Sequence, residues 1–341
     1  MSVGTGSRHQ RPTLERVAAH AGVSRATVSR VVNGSTKVSP EVRTVVEASI
    51  RALRYVPNRA ARTLVTQRTD AIAVVAAELE TMVFSDPYFA RIVRGASRVL
   101  ADEGYQMVLL MVHDRHDYER IEAYLAAGHV DGVLLVSAHR RDPLLKTLPE
   151  LGVPLVMVGR PFDRAAVPYY ADVDNRQAAA EAVRYLQGRG RRHIAHIAGP
   201  QDMMAGVDRR AGYRDALGAD YDERLVVEGD FTVVSGIDTT NDLLDRGLPV
   251  DAIFAASDLM AAGALRALRA QGLRVPDDIA VVGFDDHPGR AEWELPPLTT
   301  VHQPVGHTGE AIARLLIAQL RGEPTIEPVI LPAHLVIRES A

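Results

Sequence analysis

From Asp70 onward, short apolar runs alternate with stretches of helical period, and few folds can absorb that pattern. The runs AIAVVAA (71–77), YQMVLLMV (105–112), DGVLLVS (131–137) and VPLVMVG (153–159) come first. HIAHIAG (193–199), RLVVEGD (224–230), DAIFAAS (251–257) and DIAVVGF (278–284) follow. A strand apolar along its whole length must be covered on both faces, and helices between successive strands provide that cover. The pattern therefore predicts parallel α/β layers. The chain also echoes itself: AAGHVDGVLLVS in the first set answers DRGLPVDAIFAAS in the second, each strand entered through Val-Asp after a Gly-containing turn. Two similar α/β units with a crevice between them are expected.

The 341 residues exceed what one ordinary core organises, and 47% hydrophobic with 24% charged residues is the balance of a globular protein. No apolar run approaches the roughly 20 residues of a membrane helix. The opening MSVGTGSRHQRP lacks the apolar centre of a secretory signal. The absence of Cys excludes disulfides and thiolate metal sites and fits a reducing, cytoplasmic location. The net charge of −4 conceals an asymmetry: residues 1–69 hold 12 Arg/Lys against 3 Asp/Glu, and the remainder 27 against 40. A basic head on an acidic body points to a polyanion as the partner of the head.

That head is patterned for folding. Thr13 can cap a helix whose Leu14, Val17, Ala18 and Ala21 share one face, and Gly22 ends it in a tight turn. Ser24 caps a second helix burying Val28, Val31 and Val32, and Ser39-Pro40-Glu41 starts a third. On the second helix Arg25, Ala26, Ser29 and Arg30 face away from the Val stripe. This is the end of a helix-turn-helix that enters the major groove. Arg can fork onto guanine O6 and N7, and Ala can touch a thymine methyl. Thr27, Asn33 and Lys37 are placed for phosphates.

The runs TLERVAAHAGVSRATVSRVVNG and VSPEVRTVVEASIRALRYVPNRAARTL resemble the headpiece of the lactose-repressor (LacI/GalR) family of bacterial transcription regulators. The resemblance implies that Arg25 and Ala26 set operator preference and that Arg30 also reads bases. It further implies a hinge helix from Asn58 to Thr66, including Ala61 and Arg62, whose Leu64 wedges into the minor groove. Independently of the family, nine residues after Pro57 are too few for a stable isolated helix, which needs about 12–15. Folding of that segment would be coupled to DNA binding. The expected DNA-facing set is Thr13, Leu14, Ser24, Arg25, Ala26, Thr27, Ser29, Arg30, Asn33, Lys37, Asn58, Ala61, Arg62 and Leu64.

Open α/β sheets bind ligands beyond the carboxyl ends of their strands. Tyr88 and Phe89, Arg209, Phe231, Ser257 and Asp258, and Asp285 and Asp286 follow such ends, with Asp172 and Asp174 near the change from one half to the other. Carboxylates and Arg bond hydroxyls and aromatic rings cover apolar faces, a mixture suited to a sugar. The stretch ASDLMAAGALRALRAQGLRVPDDIAVVGFDD extends the family resemblance over the body. It implies a periplasmic-binding-protein-like (type I) effector domain of two Rossmann-like subdomains, with Tyr88, Phe89, Arg209, Phe231, Ser257 and Asp285 on the ligand. Asp174, Asp258 and Trp293, the lone Trp, complete the expected effector set. Ser257 and Ala178 stand where the family often has Asn and Gly, and the loop AGPQDMMAGVDRR carries two Met; these departures bear on the identity of the ligand.

Gly188-Arg-Gly190 precedes a strand and is no dinucleotide loop. His113-Asp114 and His116-Asp117 lack supporting ligands, and no nucleophile elbow is present. Neither cofactor nor metal nor enzymatic activity is expected. The expected organisation is a flexible N-terminus (1–11), an all-α headpiece (12–57), hinge and linker (58–69) and an effector-binding, dimerising body (70–341). Within the body, one subdomain takes about 70–173 and 300–325, and the other about 174–299 and 326–341. One recognition helix reads few bases, so a homodimer on a near-palindromic operator follows. The end at Ala341, without a leucine-heptad tail, speaks against a coiled-coil tetramer. The expected function is repression of transcription under a sugar-like effector. A purine or nucleoside effector is the alternative, and a transport-type solute-binding protein is disfavoured by the basic head. Leu64→Ala is expected to lower operator affinity and flatten the DNA bend, both read by gel shift on circularly permuted operator fragments.

Overall fold

The computed structural model describes residues 12–32, 35, 37–56, 68–78, 83–84, 86–112, 114–324 and 326–341. The expected flexible N-terminus, Asn33, the hinge residues Asn58, Ala61, Arg62 and Leu64, and His113 lie outside them. The chain divides into two compact units, Met1–Thr69 and Asp70–Ala341.

The first unit holds α1 (Leu14–Ala21), α2 (Arg25–Val32) and α3 (Pro40–Ala52). Thr13 caps α1 by accepting from the Arg16 amide, and Gly22 closes it at φ 65°, a left-handed conformation that glycine adopts without a Cβ clash. Ser39 caps α3 ahead of Pro40, whose missing N–H would have been unbonded in any case. Val17, Ala18, Val28, Val31, Val46 and Tyr55 form the buried core, one apolar stripe from each helix plus a closing ring.

The second unit is built of two lobes, each a six-stranded sheet with helices on both faces. Its strands are β1 (Ala71–Ala76), β2 (Gln106–Met111), β3 (Gly132–Val136), β4 (Leu155–Val158), β5 (Tyr170–Val173), β6 (Ile194–Ala198), β7 (Val226–Glu228), β8 (Ala252–Ala255), β9 (Ala280–Asp285), β10 (Thr299–His302), β11 (Val329–Leu331) and β12 (His334–Val336). The first sheet runs β11-β5-β4-β3-β1-β2 and the second β12-β10-β9-β8-β6-β7. All pairs are parallel except β10 with β12. The connecting helices are α4 (Pro87–Asp102), α5 (Arg115–Ala126), α6 (Leu144–Glu150), α7 (Asn175–Gly188), α8 (Met204–Leu217), α9 (Val233–Asp245), α10 (Asp258–Ala270) and α11 (Val305–Arg321). Each sheet separates two apolar clusters, one per face. The apolar run in β2 lies at a sheet edge, leaving Leu109 40% exposed.

Three connections join the lobes: between β5 and α7, between β10 and α11, and between β11 and β12. The sequence places the later exchanges near 300 and 326. β10 lies instead in the second sheet beside β9, and β11 in the first beside β5. The exchanges therefore fall at 303–304 and 332–333. Strands of three or four residues are too short for a periodic signal to locate them.

α11 packs along α4 at backbone distance. A Cβ on Gly95 would stand 2.1 Å from the Gly306 carbonyl oxygen, and one on Gly309 would stand 2.2 Å from that of Ile92. Glycine on both sides allows the helices to interlock. Gly309→Ala is expected to force them apart at a cost of about 1–3 kcal/mol, measured as a lowered midpoint of thermal unfolding.

Candidate functional site

In the headpiece, Ser24 Oγ accepts from the Thr27 amide at 3.1 Å and starts α2. Burial of Val28 and Val31 turns Arg25, Ala26 and Arg30 outward, where all three are exposed, as is Lys37. Arg25 Nε sits 3.1 Å from Glu15 Oε1, an exposed pair that orients the guanidinium and adds little stability. Thr13 is engaged as the cap of α1, Leu14 packs against the headpiece core, and Ser29 is half-buried. The structure thus gathers the expected polar face along α2, with Leu14 serving the fold.

In the body, a cavity of about 860 Å³, its open mouth included, lies between the carboxyl ends of the two sheets. Its floor on the second lobe is Arg209, 5% exposed, on α8. Arg209 Nε donates to Asn175 Oδ1 at 2.8 Å and one terminal nitrogen to the Ala256 carbonyl at 2.5 Å. The same nitrogen lies 3.6 Å from Asp285 Oδ1, and the guanidinium stacks 3.7 Å from the Phe284 ring centroid. Its second terminal nitrogen has no protein acceptor among the described residues. Asp285 ends β9 at φ 126°, a strained value for a residue with a Cβ, and accepts from Gln303 Nε2 at 2.5 Å. Burial pushes Asp285 up to about 6, opposed by Arg209 and Gln303. Burial likewise pushes Asp172 up to about 6, opposed by the amides of Arg160 and Val173.

Tyr88 and Phe89 enter the cavity from the start of α4, their rings meeting edge to face at 6.0 Å. Phe231, at φ 65°, lays its ring where a Cβ on Gly199 would stand 2.3 Å away. Ser257 borders the cavity while its hydroxyl caps α10 through the Met260 amide. Among the described residues, the six positions carried by the family resemblance therefore converge on one cavity.

Three others in the expected set stand elsewhere. Asp174 is exposed and accepts from the Gln177 amide as the cap of α7. Asp258 is buried beneath β9 and β10, accepting from Thr300 Oγ1 at 2.5 Å and from the His287 amide at 2.9 Å. Trp293 is 79% exposed in a short turn. Each acid follows an element boundary, but capping takes up Asp174, and the Thr300 hydroxyl and His287 amide take up Asp258.

Residues 13–58 match the model described as "Bacterial regulatory proteins, lacI family", and residues 183–341 match "Periplasmic binding protein-like domain". The chain is 53% identical to the HTH-type transcriptional regulator CelR of Thermobifida fusca, over 98% of this chain and 99% of that protein. The chain belongs to the lacI family. Its lacI-family fold matches the structure titled "transcriptional regulator CelR-cellobiose complex" with TM-score 0.76 and 50% identity, over 97% of this chain and 100% of that one. It matches the lac repressor dimer bound to operator and the anti-inducer ONPF with TM-score 0.84 and 29% identity, over 97% and 99%. Like its relatives, this lacI-family chain is a DNA-binding transcription regulator and not an enzyme.

Several cavity residues are absent from the expected set. Glu78, Asp86, Arg160, Met203, Met204 and Gln303 also line the space. Arg160 donates to both Asp208 carboxylate oxygens, at 2.5 and 2.6 Å, tying the first lobe to the second. Glu78 and Arg160 directly follow the apolar runs 71–77 and 153–159, the positional signal that Asp285 also carries, and Met203 and Met204 are the unusual Met-Met of their loop. The lining offers two guanidinium groups, Arg160 and Arg209, against four carboxylates, Glu78, Asp86, Asp172 and Asp285, and Arg160 is already paired with Asp208; this disfavours an anionic ligand and suits a neutral ring bearing hydroxyls.

Asp172 and Asp285 titrate above the value near 4 of an unfolded Asp. They add stability to the unliganded fold below about pH 4, and that contribution is lost as pH rises through 6. A ligand that donates hydroxyls to them favours the ionised forms. Binding of such a ligand is expected to weaken as pH falls from 7 to 5, with proton release near pH 6, measured calorimetrically in buffers of different ionisation enthalpy.

Proposed function

We propose that the chain is a homodimeric repressor whose operator affinity is set by a short β-linked glucose saccharide bound between the lobes. The observation that carries the effector class is the cavity itself: Arg209 with an open donor, buried carboxylates, and the rings of Tyr88, Phe89 and Phe231. A relative of the same fold, 50% identical, is described in complex with cellobiose.

The exposed face of α2 reads the major groove, with Arg25 and Ala26 on bases, and the segment 58–66 enters the minor groove. Two such heads need two-fold symmetry. Trp293 and Leu295, 79% and 66% exposed on the second lobe, supply apolar surface for a partner subunit. Action on operator DNA supports a cytoplasmic location. The effector acts by preferring one arrangement of the lobes, which shifts operator affinity by a coupling of about 1–3 kcal/mol.

The test is thermal-shift screening of the full chain with cellobiose, ribose, cytidine and hypoxanthine, followed by gel shift on an operator selected from random DNA. Cellobiose is expected to raise the unfolding midpoint, by mass action, and to change operator affinity. A shift with cytidine or hypoxanthine instead would replace the sugar by the nucleoside or purine alternative. Operator binding indifferent to every compound would end the effector reading.

A further inference from the structure

The strand ends around the cavity are not equivalent. All three connections between the lobes leave from β5, β11, β10 and β12, at one side of each sheet. β1, β3 and β6 stand toward the opposite side, so the loops after them border the cavity away from the connections, at its mouth. His139 follows β3 there. Its Nε2 is 2.9 Å from Glu78 Oε1, after β1, and its Nδ1 is 2.9 Å from Asp202 Oδ2, after β6 in the other lobe. Beside it the Arg140 amide donates to the Asp202 carbonyl at 2.7 Å.

An imidazole with a carboxylate on each nitrogen donates from both and is therefore charged. The hydrogen bond to Glu78 pushes His139 up to about 9, burial opposing and Asp202 reinforcing. A further side-chain link between the lobes, Arg160 with Asp208, leaves from β4, nearer the connections. The lobes thus hold together without the His139 side chain, which closes the mouth between Glu78 and Asp202 alongside the Arg140 backbone bond. Glu78 itself lines the cavity, and Met203, next to Asp202, continues its wall.

We propose that His139 is a latch across the cleft mouth that sets the length of the effector. Two sugar units lie behind it; a third occupies the place of the imidazole, forfeits both charge-assisted hydrogen bonds and leaves Glu78 facing Asp202. His139 is a specificity-determining residue that acts by closing the space rather than by contacting the bound disaccharide. This inference rests on the saccharide reading given above.

Calorimetry of the full chain with cellobiose and with cellotriose, its one-unit extension, provides the test. The unmodified protein is expected to prefer cellobiose by about tenfold or more, and His139→Ala to narrow that ratio to about threefold or less. His139→Gln, which keeps one hydrogen bond without charge, falls between. An unchanged ratio in His139→Ala, or no preference in the unmodified protein, overturns the proposal, because a merely structural role would weaken both sugars alike.

A second measurement needs no sugar. The chain has no Cys, so Met157→Cys, at a buried position lining the cavity, creates a single thiol behind the latch. Maleimide labelling of that thiol is expected to accelerate several-fold when His139→Ala is added, and an unaltered rate overturns the latch. Were neither sugar to bind, the saccharide reading would fall and the length assignment with it, while the labelling rate would still decide whether the mouth is latched.

Discussion

A guanidinium removed from water must find acceptors, and Arg209 finds them only where three separate elements meet. Asn175 comes from the start of α7, the Ala256 carbonyl from the end of β8, and Asp285 from the end of β9. Phe284 supplies a ring face beneath the plane. Leaving such a buried charge without its partners would cost several kcal/mol, so the three elements are held to one register. The cleft floor is thereby fixed before any ligand arrives. Asp285 is the corner of this arrangement, and its left-handed backbone is retained because the ion pair and the Gln303 bond both depend on it.

The first lobe answers with a surface of different character. It brings rings at Tyr88 and Phe89 and ionic groups at His139 and Arg160 that reach Asp202 and Asp208 of the opposite lobe. Cross-lobe bonds are made only when the lobes are together. Their geometry therefore couples what fills the cleft to how the lobes stand, the differential interaction any effector needs in order to shift a population.

The legible parts of the sequence were those with a local signature. The buried strands announced themselves as apolar runs because both faces of each sheet are covered, and the headpiece caps Thr13, Ser24 and Ser39 each made the bond their position implied. Arg209 and Asp285 were reached through family resemblance and adjacency to a strand. Asp174 and Asp258 were misassigned because a carboxylate after an element boundary can serve a ligand or a helix end, and the direction of one side chain decides which. Trp293 had rarity but no context. The pairs His139–Glu78, His139–Asp202 and Arg160–Asp208 join residues about fifty to sixty positions apart, a separation at which no periodicity operates. The same holds for β10 to β12, whose assignment to one sheet or the other is settled by packing alone.

The glycine contact between α4 and α11 has an evolutionary side. The helices are locked through backbone at Gly95, Gly306 and Gly309, none of which borders the cleft. Substitutions among the residues that do border it leave this helix contact untouched. A lineage with this architecture is free to exchange one small-molecule signal for another while keeping the same machinery for reading the genome.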